Sequence, residues 1–226
     1  MRRLIFTSLL SLLTLPLLAQ QVKQRFNAGA SLSFNVAQID GDKYFGYRKL
    51  GLEGGLRGIA QLTTKQYLSV GILFSQRGGK PSDRERSAAN FNYVDIRLNY
   101  AEMPFLYHIH TGQRTTKEEG KKNKEYFYPF TFFTGTSLGR IVSTDIKTNG
   151  INVEDYPILE LNSVVQDFSN LDVTWIIGGI INFDTHWGLN FQHTLSTIPL
   201  YTPAEGDERF VRLLGYHFSI GIIYVL

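Results

Sequence analysis

From Phe26 to Leu226 apolar residues recur at every second position, segment after segment, and no stretch of helical length carries a 3.6-residue stripe. Residues 26–36 set Phe26, Ala28, Ala30, Leu32, Phe34 and Val36 against Asn27, Gly29, Ser31, Ser33 and Asn35. Residues 50–62 alternate Leu50, Leu52, Leu56, Ala60 and Leu62 with Glu53, Gly55, Arg57 and Gln61. After "TTKQ", Leu68, Val70, Ile72 and Phe74 alternate with Ser69, Gly71, Ser75 and Arg77. A period of two is the side-chain period of a β-strand, so the chain is read as all-β.

Farther on the pattern slips once. Val94, Ile96 and Leu98 are apolar, but from Tyr100 the apolar positions become Ala101, Met103, Phe105, Tyr107 and Ile109, while Tyr100, Glu102 and His108 take the other face. A change of phase inside a strand predicts a β-bulge near Asn99–Tyr100. A fifth strand is expected over 126–143, a sixth over 171–183 and a seventh from Trp187 to Ser196. The eighth runs from about Phe210 to the end, where Phe218, Ile220, Ile222, Tyr224 and Leu226 share a face. Eight segments, each long enough to supply the roughly 9–11 tilted residues that cross a bilayer, predict an eight-stranded antiparallel up-and-down transmembrane β-barrel.

The connections also alternate. Those near 40–49, 78–92, 147–170 and 199–209 are longer and polar, whereas "TTKQ" and "DTH" are tight. Outer-membrane barrels have this asymmetry, with short periplasmic turns and longer external loops. The charged link "HTGQRTTKEEGKKNKE" departs from it, being long on the short-turn side.

Met1-Arg2-Arg3 followed by "LIFTSLLSLLTLPLLA" has the layout of a secretory signal peptide, shorter than the roughly 20 apolar residues of a membrane-spanning helix. The expected division is therefore a signal peptide over 1–20 and a barrel over 21–226. Removing the leader takes Arg2 and Arg3 with it, so the remaining basic residues nearly balance the 20 acidic ones, with no excess charge pointing to nucleic acid. The absence of cysteine excludes disulfides and thiolate metal sites.

Alternation alone does not say which face points in, because a soluble lipocalin-like barrel alternates too. Here the small and charged face holds Glu53, Arg57, Arg77, Asp95, Arg97, Glu102 and Asp172, a set that suits a narrow interior filled by side chains. The apolar face carries Tyr107, Trp175, Trp187 and Tyr224 near strand ends, as an interfacial girdle requires. The ending "GIIYVL", with Gly221, Tyr224 and a terminal hydrophobe, is similar to the C-terminal signal read by the barrel-assembly machinery of bacterial outer membranes, although Leu226 stands where Phe is usual.

The stretches "GYRKLGLEGGLRG" (46–58), "LSVGILFSQRGGK" (68–80), "LNYAEMPFLYHI" (98–109), "FTGTSLGRIVS" (133–143) and "GLNFQHTLSTI" (188–198) resemble the PorT-like outer-membrane β-barrel family of Bacteroidetes-type bacteria. Gln192 and His193 stand where that family has an Arg-Tyr pair. The resemblance implies a barrel of about eight strands in the outer membrane of a Gram-negative bacterium. The family's namesake serves a protein-secretion system.

Several residues invite chemistry. His108 and His110 share a strand face without a third metal ligand in sight, and His193 with Thr194 or Ser196 is the local pair a hydrolase would need. Glu53 and Arg57 could line a solute path or form an internal plug, and the plug suits the narrow lumen. Asp40, Asp42, Glu154 and Asp155 lack calcium-loop spacing. No catalytic, cofactor-binding or metal-ligating residue is assigned, and no cofactor is expected. The leading expectation is a non-enzymatic barrel with a structural, adhesive or partner-binding role through external loops. The alternative is an accessory of secretion or envelope assembly that holds a periplasmic partner through 110–125. The expected partners are outer-membrane lipid, the barrel-assembly machinery and an envelope or secretion protein.

Overall fold

The computed structural model describes residues 25–89, 92–119, 123–149, 164–203 and 211–226. The leader expected over 1–20, with Glu154 and Asp155, lies outside them. The strands are β1 (Phe26–Asp40), β2 (Lys49–Gln61), β3 (Gln66–Gly79), β4 (Tyr93–Thr111), β5 (Thr115–Glu119), β6 (Asn123–Phe127), β7 (Phe130–Asn149), β8 (Leu171–Asn182), β9 (Trp187–Ser196) and β10 (Leu214–Val225), with one short helix, α1 (Asp83–Ala88), between β3 and β4.

Eight of these strands close into a ring in the order β1-β10-β9-β8-β7-β4-β3-β2, every pair antiparallel. Closure is made by the first and last strands, from Gly29 opposite Val225 to Asp40 opposite Leu214, and the Leu226 amide donates to the Ala28 carbonyl at 2.9 Å. A closed ring leaves no edge of unpaired amides, which is the condition for a sheet to sit in hydrocarbon.

Burial follows the alternation, inside out relative to a soluble barrel. Ser31, Ser33, Asn35, Glu53, Arg57, Ser75, Arg77, Glu102, Asp172, Asn190, Gln192 and His217 are buried, whereas Leu32, Phe34, Leu50, Leu56, Ile72 and Phe132 are exposed on the outer wall. At Gly178 the small inward residue is obligatory, because a Cβ there would enter the Phe133 ring.

Two expectations are corrected. The register shift does fall at Asn99/Tyr100, but its extra residue belongs to β7: Asn99 faces Ser143, Tyr100 faces Ile141, and Val142 between them has no partner. β4 itself never changes phase. Val94, Ile96, Leu98, Tyr100, Glu102, Leu106 and His108 are all buried in the interior. The apolar pattern reverses because the strand leaves the membrane. On the outer wall a row of side chains crosses three strands: Gln76 Nε2 donates to Asn99 Oδ1 at 3.1 Å, and Asn99 Nδ2 donates to Ser143 Oγ at 2.8 Å. Beyond this row Asp95 faces Lys147 and Arg97 faces Asp145, opposite charges across the β4–β7 ladder. There the barrel is built like a soluble one, polar outside and apolar inside.

The second correction concerns the link after β4. The fifth barrel strand begins at Phe130 and not at 126, and Tyr126 and Phe127 belong to a separate two-stranded ribbon, β5–β6, paired from Thr115–Phe127 to Glu119–Asn123. Gly112, with φ +86°, makes the break between β4 and this ribbon.

Candidate functional site

Along the inward face of β4 the side chains run Val94, Ile96, Leu98 and Tyr100, then Glu102, then Leu106 and His108. The interior repeats this order in three layers. At the loop end, Ile39, Val94, Ile96, Leu98, Tyr100, Val165, Phe168, Leu200 and Leu213 form one apolar cluster. Toward the termini, Leu106, Phe133, Ile176, Ile180 and Ile223 form a second. A charged belt lies between them.

Arg77 is the centre of the belt. Its Nη1 donates to Asp172 Oδ2 at 2.8 Å, its Nη2 pairs with Glu102, and its guanidinium carbon lies 4.4 Å from the centre of the Tyr100 ring. Ser196 Oγ donates to the same Asp172 oxygen at 3.0 Å, and Ser137 Oγ donates to Glu102 Oε2 at 3.3 Å. A second group joins Gln192 Nε2 to Glu53 Oε1 at 2.9 Å, with His217 Nε2 3.5 Å from Glu53 Oε2. Glu53 and Arg57 share the interior as charge neighbours rather than as a hydrogen-bonded pair, and Arg57 Nε and Nη1 have no hydrogen-bond partner among the described residues. Buried charges tied this closely hold a strand arrangement together rather than line a water path.

The histidines fall in different places. His108 is buried, 2.8 Å from Ser69 Oγ through Nε2, and stacked on Tyr67 at 4.2 Å. His110 sits at the rim of the barrel with Nδ1 2.8 Å from Thr131 Oγ1. Among the described residues no three His, Asp or Glu side chains are grouped to hold a metal. His193 points outward and hydrogen-bonds the Tyr47 hydroxyl at 2.8 Å, while Thr194 and Ser196 are buried on the inner face, so the histidine and the hydroxyls lie on opposite sides of the wall.

The loops at the long-loop end are organised by hydrogen bonds absent from the sequence-based expectations. Asp42 is 1% exposed and its Oδ1 accepts from the Tyr44 amide at 2.9 Å. Burial pushes its carboxyl up to about 7, helped by the carboxylates of Glu85 and Asp40. The Tyr44 hydroxyl accepts from the Val94 amide at 2.8 Å, and burial pushes that phenol up to about 12. The helix α1 is closed by a capping box between Ser82 and Glu85, and Glu85 Oε1 also accepts from the Phe45 amide at 2.9 Å. The β1–β2 loop is thus tied to the β3–β4 loop. The Ser82-x-x-Glu85 spacing was the one sequence signal available for this.

At the opposite end the mouth of the barrel is a cavity of about 320 Å³, walled by residues of both the strand ends and the β5–β6 ribbon, including Tyr67, His110, Arg114, Tyr126 and Tyr128.

A closed ring of eight strands, apolar outside and charge-filled within, defines a small transmembrane barrel of the bacterial outer membrane. The chain belongs to the family described as the outer membrane protein beta-barrel domain, whose model matches residues 18–200. No curated protein matches it in sequence. Among solved structures it is similar to Ail, the attachment invasion locus protein of Yersinia pestis, with 8% identity over 90% of this chain and 100% of that chain and a TM-score of 0.43. It is also similar to Neisserial surface protein A, with 10% identity over 88% and 96% and a TM-score of 0.44. For the outer membrane protein OprG of Pseudomonas aeruginosa the values are 10%, 89% and 95%, with a TM-score of 0.36.

Proposed function

We propose that this protein is a non-enzymatic barrel acting through its external loops, in a structural, adhesive or partner-binding role, and that it is a PorT-like member of its family. The observation that carries the reading is the filled interior: among the described residues the Arg77–Glu102–Asp172 belt lies between two apolar clusters, as suits an eight-stranded ring whose lumen is occupied by side chains. The tied loops at the long-loop end are the alternative place for recognition. The PorT-like assignment rests on the sequence stretches at 46–58, 68–80 and 98–109.

On this reading the leader over 1–20 directs export and is removed, leaving the barrel from residue 21, and the β10 strand engages the barrel-assembly machinery. Outer-membrane lipid is the standing partner, an envelope protein is the loop ligand, and nucleic acid has no part. The test is to replace residues 41–48 and 81–92 by short turns and to crosslink parent and variants in intact cells. Loss of envelope-protein crosslinks from a barrel that still inserts is the expected result. Unchanged crosslinks would reject the loop reading.

A second reading is favoured by the β5–β6 ribbon, which continues the β4–β7 pair past the barrel rim. Such a ribbon could hold a secretion or assembly partner on the periplasmic side. Deleting 112–124 stops secretion or assembly only if this second reading is correct.

A further inference from the structure

We propose that the outer wall holds one phospholipid of the periplasmic leaflet at a fixed place, with an acyl chain in a groove across β4, β7 and β8 and its phosphate at Lys65. The groove has a volume of about 200 Å³. Its walls are Tyr107, Ile109, Phe132 and Ile177, and the small residues Thr134 and Gly178 lie between them. The register explains the hollow. Tyr107, Thr134 and Ile177 stand in one row across the three strands, and Ile109 faces Phe132 in the next row toward the ribbon. A threonine between a tyrosine and an isoleucine leaves a recess that its larger neighbours deepen.

Three observations select the occupant. The first is the chemistry of the lining. Thr134 Oγ1 donates to the Ile176 carbonyl at 3.0 Å and accepts from Trp175 Nε1 at 2.9 Å. The hydroxyl in the middle of the row is therefore satisfied within the wall, and the aliphatic and aromatic side chains around it offer dispersion contacts.

The second is location. The groove lies on the outward face of a closed ring in the outer membrane, where hydrocarbon is the surrounding medium. Ile109 is two residues from the end of β4 and Phe132 two from the start of β7, which puts the groove in the half of the wall nearer the short turns. Its volume falls below the roughly 300–1,000 Å³ of drug-sized ligand pockets and suits a length of chain better than a ring compound.

The third is charge. The Lys65 carbonyl accepts the amide of His110, the residue after Ile109, at 2.7 Å, so Lys65 stands at the rim beside the groove. It is exposed, its Nζ lies 5.9 Å from the centre of the Tyr128 ring, and no carboxylate pairs with it among the described residues. A lysine at the membrane interface reaches toward the headgroup layer and attracts a lipid phosphate. The recess gives one chain more contacts than a flat wall does, and the ammonium gives its headgroup a counter-ion.

The experiment is native mass spectrometry of the full barrel, reconstituted with phosphatidylethanolamine and phosphatidylglycerol and then washed in detergent. The parent should retain a single phospholipid when the rest are stripped. Thr134→Leu, which fills the groove, should lose it, whereas Thr134→Val, which removes the same hydroxyl but leaves the space, should keep it. Lys65→Gln, in a turn outside the wall, should lower retention about fivefold, the weight of one basic residue near an anionic membrane surface. Heat-modifiable mobility shows that each variant compared is a folded barrel. A parent that carries no lipid, equal retention by Thr134→Leu and Thr134→Val, or equal retention by Lys65→Gln and the parent overturns the proposal. The loop-based function stands or falls separately, because its residues lie at the other end of the barrel.

Discussion

Arg77 Nη1 donates to Asp172 Oδ2 at 2.8 Å across the barrel interior, although the two residues are 95 positions apart in the chain. With Glu102 on its other nitrogen, one guanidinium joins β3, β4 and β8. Both carboxylates are buried, so neither is screened by water. Whatever the net worth of the group, removing the cation leaves two like charges facing each other in a dry interior.

Arg77→Gln should therefore destabilise the barrel by about 3–5 kcal/mol, the cost typical of breaking a buried pair from one side. Adding Glu102→Gln and Asp172→Asn should recover most of that loss, since the triple variant contains no orphaned charge. Urea unfolding in lipid vesicles measures both. If the triple variant is no more stable than the single one, the belt is not acting as a charge-compensated unit.

Transport should be absent. Planar-bilayer recordings of the reconstituted protein are expected to show no steady conductance, because the belt and the clusters around Leu98 and Ile176 fill the narrow interior of an eight-stranded ring. Reproducible open-channel currents would contradict the layered interior.

The β1–β2 loop should respond to pH through Asp42. Its carboxyl is raised from 3.8 to about 7, mainly by burial, so the folded loop holds a proton that the unfolded chain would release. The sign follows: the loop is most stable below about pH 4, loses stability as pH climbs toward 7, and changes little above that. Hydrogen-exchange protection of the amides from 41 to 48, corrected for intrinsic exchange rates, should fall across this window. Asp42→Asn should flatten the profile and protect the loop better than the parent at pH 8.

The last strand separates stability from recognition. Leu226 is exposed at the chain end, whereas Ser219 is fully buried in the lumen. An arginine on the lipid face costs about 2–4 kcal/mol at mid-bilayer and close to nothing at the interface. Leu226→Arg should thus refold in vitro nearly as well as the parent, yet give a poor outer-membrane yield if the terminal residues are read during assembly. Ser219→Arg should disturb packing in both settings. A parent-like yield for Leu226→Arg in cells would make β10 an ordinary closing strand.

Much of this architecture is local and so was legible in the residues. Period-two alternation is a property of neighbours along one strand, and it sufficed to place eight strands, the inward face of Glu53, Arg77 and Glu102, and the outward face of Phe218 to Leu226. Other features depend on ring closure. A pattern of hydrophobicity reports the solvent on each side of the wall, not the direction of a side chain, so Val94, Ile96 and Leu98 read as outward in the sequence although they lie inside, beyond the polar row of Gln76, Asn99 and Ser143. A register slip is a relation between two strands, and no single strand discloses that the extra residue is Val142 of β7. The same holds for partners: Glu53 and Arg57 are close in sequence, but the closed barrel gives Glu53 to Gln192 and Arg77 to Glu102 and Asp172. Below the Gln76–Asn99–Ser143 row alternation determined which residues face the interior; only the curvature and stagger of the closed sheet decided which of them meet, because those set the distances between strands far apart in the chain.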